Sequence, residues 1–225
     1  MRVPIWLSLL AALFLLILFP LLFGQVMAAG LIKLHLSPSS ALLLVIGIIA
    51  GGMVNIPVRR IQRADTVEVH PLAAFGMTGR FPELRRVRRV TIVAINVGGC
   101  VIPTVLALYQ IAWLAAAAPG LLWAVGVASL VSVTVCYFLA QPVPGVGIAM
   151  PGLVPALVAA ALALVLAPEQ APAVAYVAGV AGPLIGADLL HLRQIERVSA
   201  GVLSIGGAGT FDGIVLSGIV AAYLA

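Results

Sequence analysis

The chain alternates between long apolar stretches and short connections that are polar or rich in glycine and proline. About 20 consecutive apolar residues are enough for a helix to cross the hydrocarbon core of a bilayer. Seven such stretches predict membrane-spanning helices, at about residues 4–27, 40–57, 91–117, 120–140, 152–167, 172–190 and 201–224. We therefore predict an all-α, polytopic helical membrane protein with a single membrane domain over residues 1–225.

The first apolar stretch has two interpretations. It follows Arg2 and runs for about 20 residues, which is longer than the 7–15 residues of a secretory signal core. However, Val26, Met27 and Ala28 form an acceptable cleavage pattern for a signal peptide. We favour a retained first helix, with a cleaved signal as the alternative.

Composition supports the membrane assignment. Hydrophobic residues make up 63% of the chain and charged residues only 8%, and the mean hydropathy is +1.23. An ordinary soluble domain has roughly 25% charged residues. The composition therefore excludes a water-soluble fold and predicts a multi-pass protein of the inner (cytoplasmic) membrane.

The basic residues predict the orientation. Eight of the twelve lysines and arginines lie between Arg59 and Arg89, which makes residues 58–90 an Arg-rich cytoplasmic loop by the positive-inside rule. A cytoplasmic N-terminus and an external C-terminus place only Lys33 outside. The net charge of +5 is then explained by anionic lipids at this loop. The arginines have no interleaved aromatic residues, so we predict no nucleic-acid partner.

Within the Arg-rich loop, residues 66–70 alternate between apolar and polar side chains and predict a short strand. Residues 75–80 could form a second strand. Such a hairpin could serve as a surface for a partner, and a plain connecting loop is the alternative.

Helix-breaking residues interrupt several of the predicted spans. Glycines and prolines are concentrated at 51–57, 96–103, 141–152 and 204–214. Within a membrane, irregular backbone is tolerated only where it is buried in protein or lines a cavity. We therefore predict broken or re-entrant segments there, although close helix packing by small residues would also explain the first two.

Two aspartates, Asp188 and Asp212, are the acidic residues of the predicted spans. Ionisable groups at membrane depth are costly and by default indicate function. The glycines before Asp212 argue against one continuous last helix, and Thr210 is a suitable N-cap for a short helix that begins at Phe211. Such a helix is shorter than the roughly 30 Å hydrocarbon core, so we expect residues 198–209 to enter the membrane as irregular chain. This break could bring Asp212 to the level of Asp188.

A pair of carboxylates permits two kinds of chemistry, and a third class of function needs none. As an enzyme, Asp188 and Asp212 could share one proton and activate water for peptide hydrolysis of a membrane-embedded substrate. As a carrier, they could bind a cation or relay protons. The third class is a non-catalytic scaffold. The candidate substrate- or ion-binding residues are Asn55, Asn96, Gln141, Gly207, Gly209 and Thr210.

No metal site or cofactor is predicted. Cys100 and Cys136 lie in apolar runs and have the character of packing residues. The three histidines are widely spaced, and the glycines before Thr210 lack the lysine of a phosphate-binding loop. His191 follows Asp188 by three residues and could tune its proton affinity.

Three motifs resemble a family of bacterial and archaeal membrane proteins called domain of unknown function 1614. They are Asn-Val-Gly-Gly-Cys-Val-Ile-Pro at 96–103, Gly-Ala-Asp-Leu-Leu at 186–190, and the stretch from Ser204 to Ile214. The resemblance spans about the last two-thirds of the chain. It implies membership of the group but no activity.

A second resemblance is to intramembrane aspartyl proteases of the presenilin and signal-peptide-peptidase type. These proteins carry one aspartate in each of two successive helices and a Pro-Ala-Leu motif. Asp188, Asp212 and Pro-Ala-Leu at 155–157 look like counterparts. The pattern departs from theirs because Thr210 and Phe211 separate Gly209 from Asp212, and because the proline motif precedes both acids.

Overall fold

A computed structural model of the protein describes residues 4–14, 19–69, 83–143, 147–198 and 201–225. Within these ranges the chain is mostly helical, as predicted. The helices are α1 Ile5–Leu13, α2 Phe19–Ile32, α3 Pro38–Gly51, α4 Ile102–Ala117, α5 Leu122–Leu139, α6 Val154–Leu166, α7 Ala171–Ala181, α8 Leu190–Val198 and α9 Gly213–Leu224. Two π-helical segments extend them: Val97–Val101 leads into α4, and Gly182–Leu189 joins α7 to α8.

Three of the described helical stretches are long and apolar enough to cross a membrane: Val97–Ala117, Pro119–Leu139 and Pro168–Gln194. Four shorter apolar helices have 10–17 residues, at Leu21–Ile32, Pro38–Gly51, Val154–Leu166 and Gly213–Leu224. At 1.5 Å per residue, a 14-residue helix covers about 21 Å, which is less than the roughly 30 Å of a hydrocarbon core. Within the described residues, each of the seven apolar stretches contains helix, and three helices reach the span length by themselves.

The prediction of an all-α fold is wrong in one respect, because the described chain also contains two small sheets. The first sheet has the order β1-β2-β5, with β1 Asn55–Val69, β2 Glu83–Asn96 and β5 Gly201–Ile205. β1 and β2 are antiparallel, and β5 runs parallel to β2. The second sheet is a hairpin of β3 Gln141–Val143 and β4 Gly147–Ala149.

The Arg-rich loop is therefore entered and left by a β-ribbon. Residues 66–69 of the first predicted strand lie in β1, which favours the hairpin over the plain loop. The second predicted strand, at 75–80, lies outside the described residues. The ribbon also replaces the ends of two predicted helices, since α3 ends at Gly51 and residues 91–96 are strand. Four of the five residues from Thr91 to Ile95 are β-branched, which favours a strand over a helix there.

The packing centre of the helical part is α7. It contacts α4, α5, α6 and α9, and every residue from Ala173 to Val180 is buried. Small residues allow this close packing: a Cβ atom at Gly179 would lie 2.7 Å from the carbonyl oxygen of Ser217 in α9. Because α7 leads to Asp188 and α9 begins after Asp212, this contact fixes the two aspartates relative to each other.

Candidate active site

Asp188 lies in the π-helical segment Gly182–Leu189. Gly182 and Gly186 press this segment against α5, since a Cβ atom at either position would overlap Ser132 or the carbonyl oxygen of Val133. π-helical turns are rare in proteins, and those that occur are frequently found at functional sites. The segment leaves the Asp188 side chain half-buried at the end of the α7 bundle.

Asp212 is the N-cap of α9. Its Oδ1 accepts a hydrogen bond from the Ile214 amide at 3.0 Å, and its Oδ2 accepts one from the Ala208 amide at 3.3 Å. The prediction that Thr210 is the N-cap is wrong. Thr210 lies in a short 3₁₀ turn, Gly209–Phe211, and carries no capping bond, whereas the extended backbone and short carboxylate of Asp212 suit the N-cap position.

The chain between β5 and α9 turns sharply on two glycines. Gly206 has φ +72° and Gly209 has φ +61°, in the left-handed region that favours glycine. The predicted break before a short last helix is therefore confirmed. The expected irregular chain at 198–209 is wrong where β5 forms, because residues 201–205 pair with β2.

Asp188 and Asp212 border one cleft with two lobes. We call the first the strand-side lobe; its volume is about 390 Å³ and it runs beside β5. The second, the helix-side lobe, has about 310 Å³ and reaches Pro183 and Leu216. Both lobes are bordered by the same four residues, namely Ile148, Asp188, Ala208 and Asp212. Both aspartate side chains are half-buried at this junction.

Asn96 forms hydrogen bonds that support the backbone next to the glycine turn at 206–209. It is 0% exposed, and its Oδ1 accepts from the Gly99 amide at 2.7 Å, which caps the first π-helical segment. Its Nδ2 donates to the carbonyl oxygen of Gly52 at 2.8 Å and to Asn55 Oδ1 at 3.1 Å. Ser204 Oγ in β5 donates to that same Asn55 oxygen. The two asparagines thus link α3, the ribbon and β5 into one support.

Of the six predicted binding residues, only Gly207 borders the cleft, in its strand-side lobe. Asn55 and Asn96 belong to the support behind the turn, and Gly209 packs against Gly52. Gln141 borders a separate depression with Phe138 and Met150. Thr210 is half-buried and borders neither lobe.

His191 is buried but does not face the aspartate pair through a hydrogen bond. Its Nδ1 lies 3.0 Å from the carbonyl oxygen of Gly186 and 3.1 Å from that of Ala187. Both partners can only accept, so Nδ1 carries the proton. The ring packs on Tyr137 with 4.8 Å between centroids. Its contacts therefore brace the π-helical segment that carries Asp188.

The contribution of β5 was not foreseen from the sequence. Ser204, Ile205 and Ala208 border the strand-side lobe, yet residues 201–205 were assigned to an irregular segment. The available signal was the short apolar run Val-Leu-Ser-Ile bounded by glycines at 201 and 206, which is compatible with a buried strand. Among the described residues, no group of three or more histidine, cysteine, aspartate or glutamate side chains could hold a metal ion.

The sequence model of a family described as "Protein of unknown function (DUF1614)" matches residues 49–224. The chain belongs to this family. The DUF1614 match contains every residue that borders the two lobes, together with Asn55 and Asn96. Comparison with curated proteins and with solved structures gave no match. The predicted family is therefore confirmed, while α1, α2 and most of α3 precede the matched region.

Proposed function

We propose that this DUF1614 protein is an intramembrane aspartyl peptidase-like hydrolase, in which Asp188 and Asp212 cleave a peptide bond of a membrane-embedded polypeptide. One observation carries the proposal: both carboxylates border both lobes of a single cleft. A chain that passed from one lobe to the other would cross the aspartate pair. The likeness to presenilin-type proteases, which rests on the same two acids and on Pro-Ala-Leu at 155–157, suggests the type of reaction.

The backbone contacts suggest a division of roles. Both oxygens of Asp212 accept amide hydrogen bonds, which suits an ionised carboxylate acting as the general base. Asp188 then acts as the general acid. Asp212 takes a proton from a water molecule, and the oxygen of that water attacks the scissile carbonyl carbon. At the same time Asp188 gives its proton to the carbonyl oxygen.

The resulting gem-diol collapses by breaking the C–N bond. Its hydroxyl group returns a proton to Asp188, and Asp212 delivers the proton it received to the leaving nitrogen. The products are a carboxylic acid and an amine, and both aspartates regain their starting protonation states. The reaction therefore consumes one water molecule and needs no co-reactant.

The carrier alternative has less support. Its oxygen donors were expected around the aspartates, but Gln141 borders a different depression, and Asn55 and Asn96 bond to each other. A path to the opposite face would have to pass α7, whose residues from Ala173 to Val180 are buried. The scaffold alternative rests on the ribbon β1–β2 alone and does not explain a cleft bordered by two acids.

We also propose a cell-membrane location with a cytoplasmic N-terminus and an external C-terminus. The cleft then opens at the cytoplasmic side, near the exposed Arg193. Anionic lipids at the Arg-rich segment are the expected partners, since each basic residue near such a surface contributes about 1 kcal/mol of attraction.

The aspartate roles are tested with purified protein in lipid vesicles. A panel of single-span polypeptides, each with about 20 apolar residues and helix-breaking residues near one end, serves as substrate. Mass spectrometry identifies cleavage products. We expect Asp188→Asn and Asp212→Asn each to lower the cleavage rate by about 10²–10⁴-fold, as is usual for the loss of a general acid or base.

Glu169→Gln is the matched control, because Glu169 is an exposed acid in the turn at the opposite end of α7. It should cleave at the wild-type rate. If either aspartate variant cleaves at the wild-type rate, the proposal is contradicted. It is also contradicted if the wild-type protein cleaves no member of the panel.

A further inference from the structure

We propose that the cleft binds its substrate as an extended strand, added first to the free edge of β5 and then to that of β4. This inference rests on the proposed hydrolase function and names its substrate class: an apolar polypeptide segment that is unwound around the scissile bond. The inference rests on the position of two edge strands: β5 lies beside the strand-side lobe and β4 beside the helix-side lobe. Asp188 and Asp212 lie where the two lobes meet.

The β5 edge is the first step. In the described sheet β5 lies at one end of the order β1-β2-β5 and pairs with β2 alone. Four consecutive residues, Val202 to Ile205, border the strand-side lobe. Successive side chains of a strand point to opposite faces, so a cavity that touches four in a row runs along the edge of the strand, where the backbone is accessible.

The β4 edge repeats this relation in the other lobe. β4 pairs only with β3 in its described two-stranded sheet. Ile148 and Ala149 of β4 and the residue after the strand, Met150, are consecutive, and all three border the helix-side lobe. This lobe therefore lies along the C-terminal end of β4. A chain leaving the β5 edge would therefore meet a second strand edge after passing Asp188 and Asp212.

An extended polypeptide is the ligand whose chemistry fits such a path. Main-chain N–H and C=O groups need partners when they are shielded from water, and an added strand supplies them in register. β5 has five residues and a length of about 17 Å, so it can pair with about five substrate residues. Beside the polar groups of this lobe, Val202 and Leu192 add apolar side chains to its wall, where they can contact apolar side chains of the substrate.

The test uses a defined probe. It is an apolar octapeptide with one central statine unit, whose hydroxyl group imitates the tetrahedral intermediate, and with a biotin tag. A set of analogues carries a single N-methyl group at each amide in turn. Full-length protein in detergent carries benzoylphenylalanine in place of Val202, which is 70% exposed and borders the cleft, or in place of Met53, which is 87% exposed and lies outside it.

We expect the probe to crosslink at position 202 and not at position 53. Each N-methyl group at an amide that faces β5 should weaken binding by about tenfold, because it removes one hydrogen bond and adds bulk at the pairing edge. Methylation at the alternate amides should have little effect. A pattern with a period of two residues is the signature of strand addition.

The outcomes separate this inference from the function on which it rests. Equal effects of methylation at all positions, no effect at any position, or equal crosslinking at 202 and 53 would overturn strand addition even if cleavage depended on both aspartates. A statine-free octapeptide should keep the period of two in the Asp188→Asn variant. If that period is present but no polypeptide is cleaved, the site binds strands and the hydrolase proposal fails.

Discussion

Gly99 and Gly206 let two backbone segments touch directly behind the aspartates. A Cβ atom at Gly99 would overlap the carbonyl oxygen of Gly206, and one at Gly206 would lie 2.7 Å from the Cys100 nitrogen. Because Gly206 leads to Gly207 and Ala208, which border the strand-side lobe, this contact sets the position of one wall of the site. The glycines are therefore required by contact as much as by backbone conformation.

We expect Gly99→Ala to lower the stability of the protein by about 1–3 kcal/mol, the usual cost of an overpacked contact. It should also slow cleavage, because the displaced turn carries the Ala208 amide, which donates a hydrogen bond to Asp212. Unfolding can be followed with a thiol-reactive dye, since Cys100 and Cys136 are both buried and free.

Gly126→Ala is the matched control for this experiment. Gly126 lies within α5, and a Cβ atom there would meet no heavy atom within 4 Å. Alanine in place of glycine inside a helix stabilises it by about 0.5–1 kcal/mol. If Gly99→Ala is as stable as Gly126→Ala, then the contact between Gly99 and Gly206 can accommodate a methyl group, which would contradict the prediction.

At the same scale, the sequence identified residue types better than their partners. Asp188 and Asp212 were selected because acids are costly among apolar residues, and the structure brings both to one cleft. Asn96 was selected for its polarity as a ligand, but it is fully buried and bonds to the backbone of Gly52 and Gly99. A polar residue in an apolar run indicates a constraint, and only the fold distinguishes a ligand from a cap.

At the scale of elements, periodicity predicted the helices and underestimated the strands. Residues 91–96 continue directly into the apolar helix α4, so hydropathy alone joined them to it. Their strand structure depends on pairing with β1 and with β5, and the β5 partner lies more than 100 residues away along the chain. Such non-local pairing leaves little trace in a local pattern.

The contact between α7 and α9 gives a prediction at this scale. A Cβ atom at Gly179 would lie 2.7 Å from the carbonyl oxygen of Ser217. We expect Gly179→Leu to force the two helices apart, to lower stability by about 1–3 kcal/mol or more, and to abolish cleavage. Thermal unfolding and the vesicle assay measure the two effects.

Gly126→Leu provides the comparison, because the same substitution there enters open space on α5. It should unfold within a few tenths of a kcal/mol of the wild type. If Gly179→Leu cleaves at the wild-type rate, then the packing of α7 against α9 does not determine the separation of Asp188 and Asp212.

At the scale of the whole molecule, the site combines segments that the sequence treats separately. β4, the second π-helical segment, β5 and the start of α9 each border the cleft. β4 and the start of α9 lie in two of the predicted breaks, at 141–152 and 204–214. The convergence of the four segments could not be read from the chain, because it depends on the parallel pairing of β5 with β2 and on the central packing of α7.

The same arrangement fixes which loops share a face, and this permits a test of orientation. The turn at 167–170 precedes α7 and Asp188 follows it, so this turn lies at the end of α7 opposite to the cleft. Helices joined by short turns usually pack antiparallel, so we expect the turn at 118–121 at the same end. Those turns carry no basic residue, whereas Arg193 lies at the cleft end. By the positive-inside rule we expect the cleft to contact the cytoplasm.

Single cysteines introduced at exposed positions report this orientation, in a background where Cys100 and Cys136 are replaced by alanine. With a membrane-impermeant maleimide on intact cells, we expect Gly120→Cys and Glu169→Cys to be labelled and Arg193→Cys to be protected. Permeabilising the cells should expose the last. All three positions are exposed on the protein, so accessibility differs only through the membrane. Labelling of Arg193→Cys alone in intact cells would mean that the cleft faces outward, and the substrate would then have to be sought outside the cytoplasm.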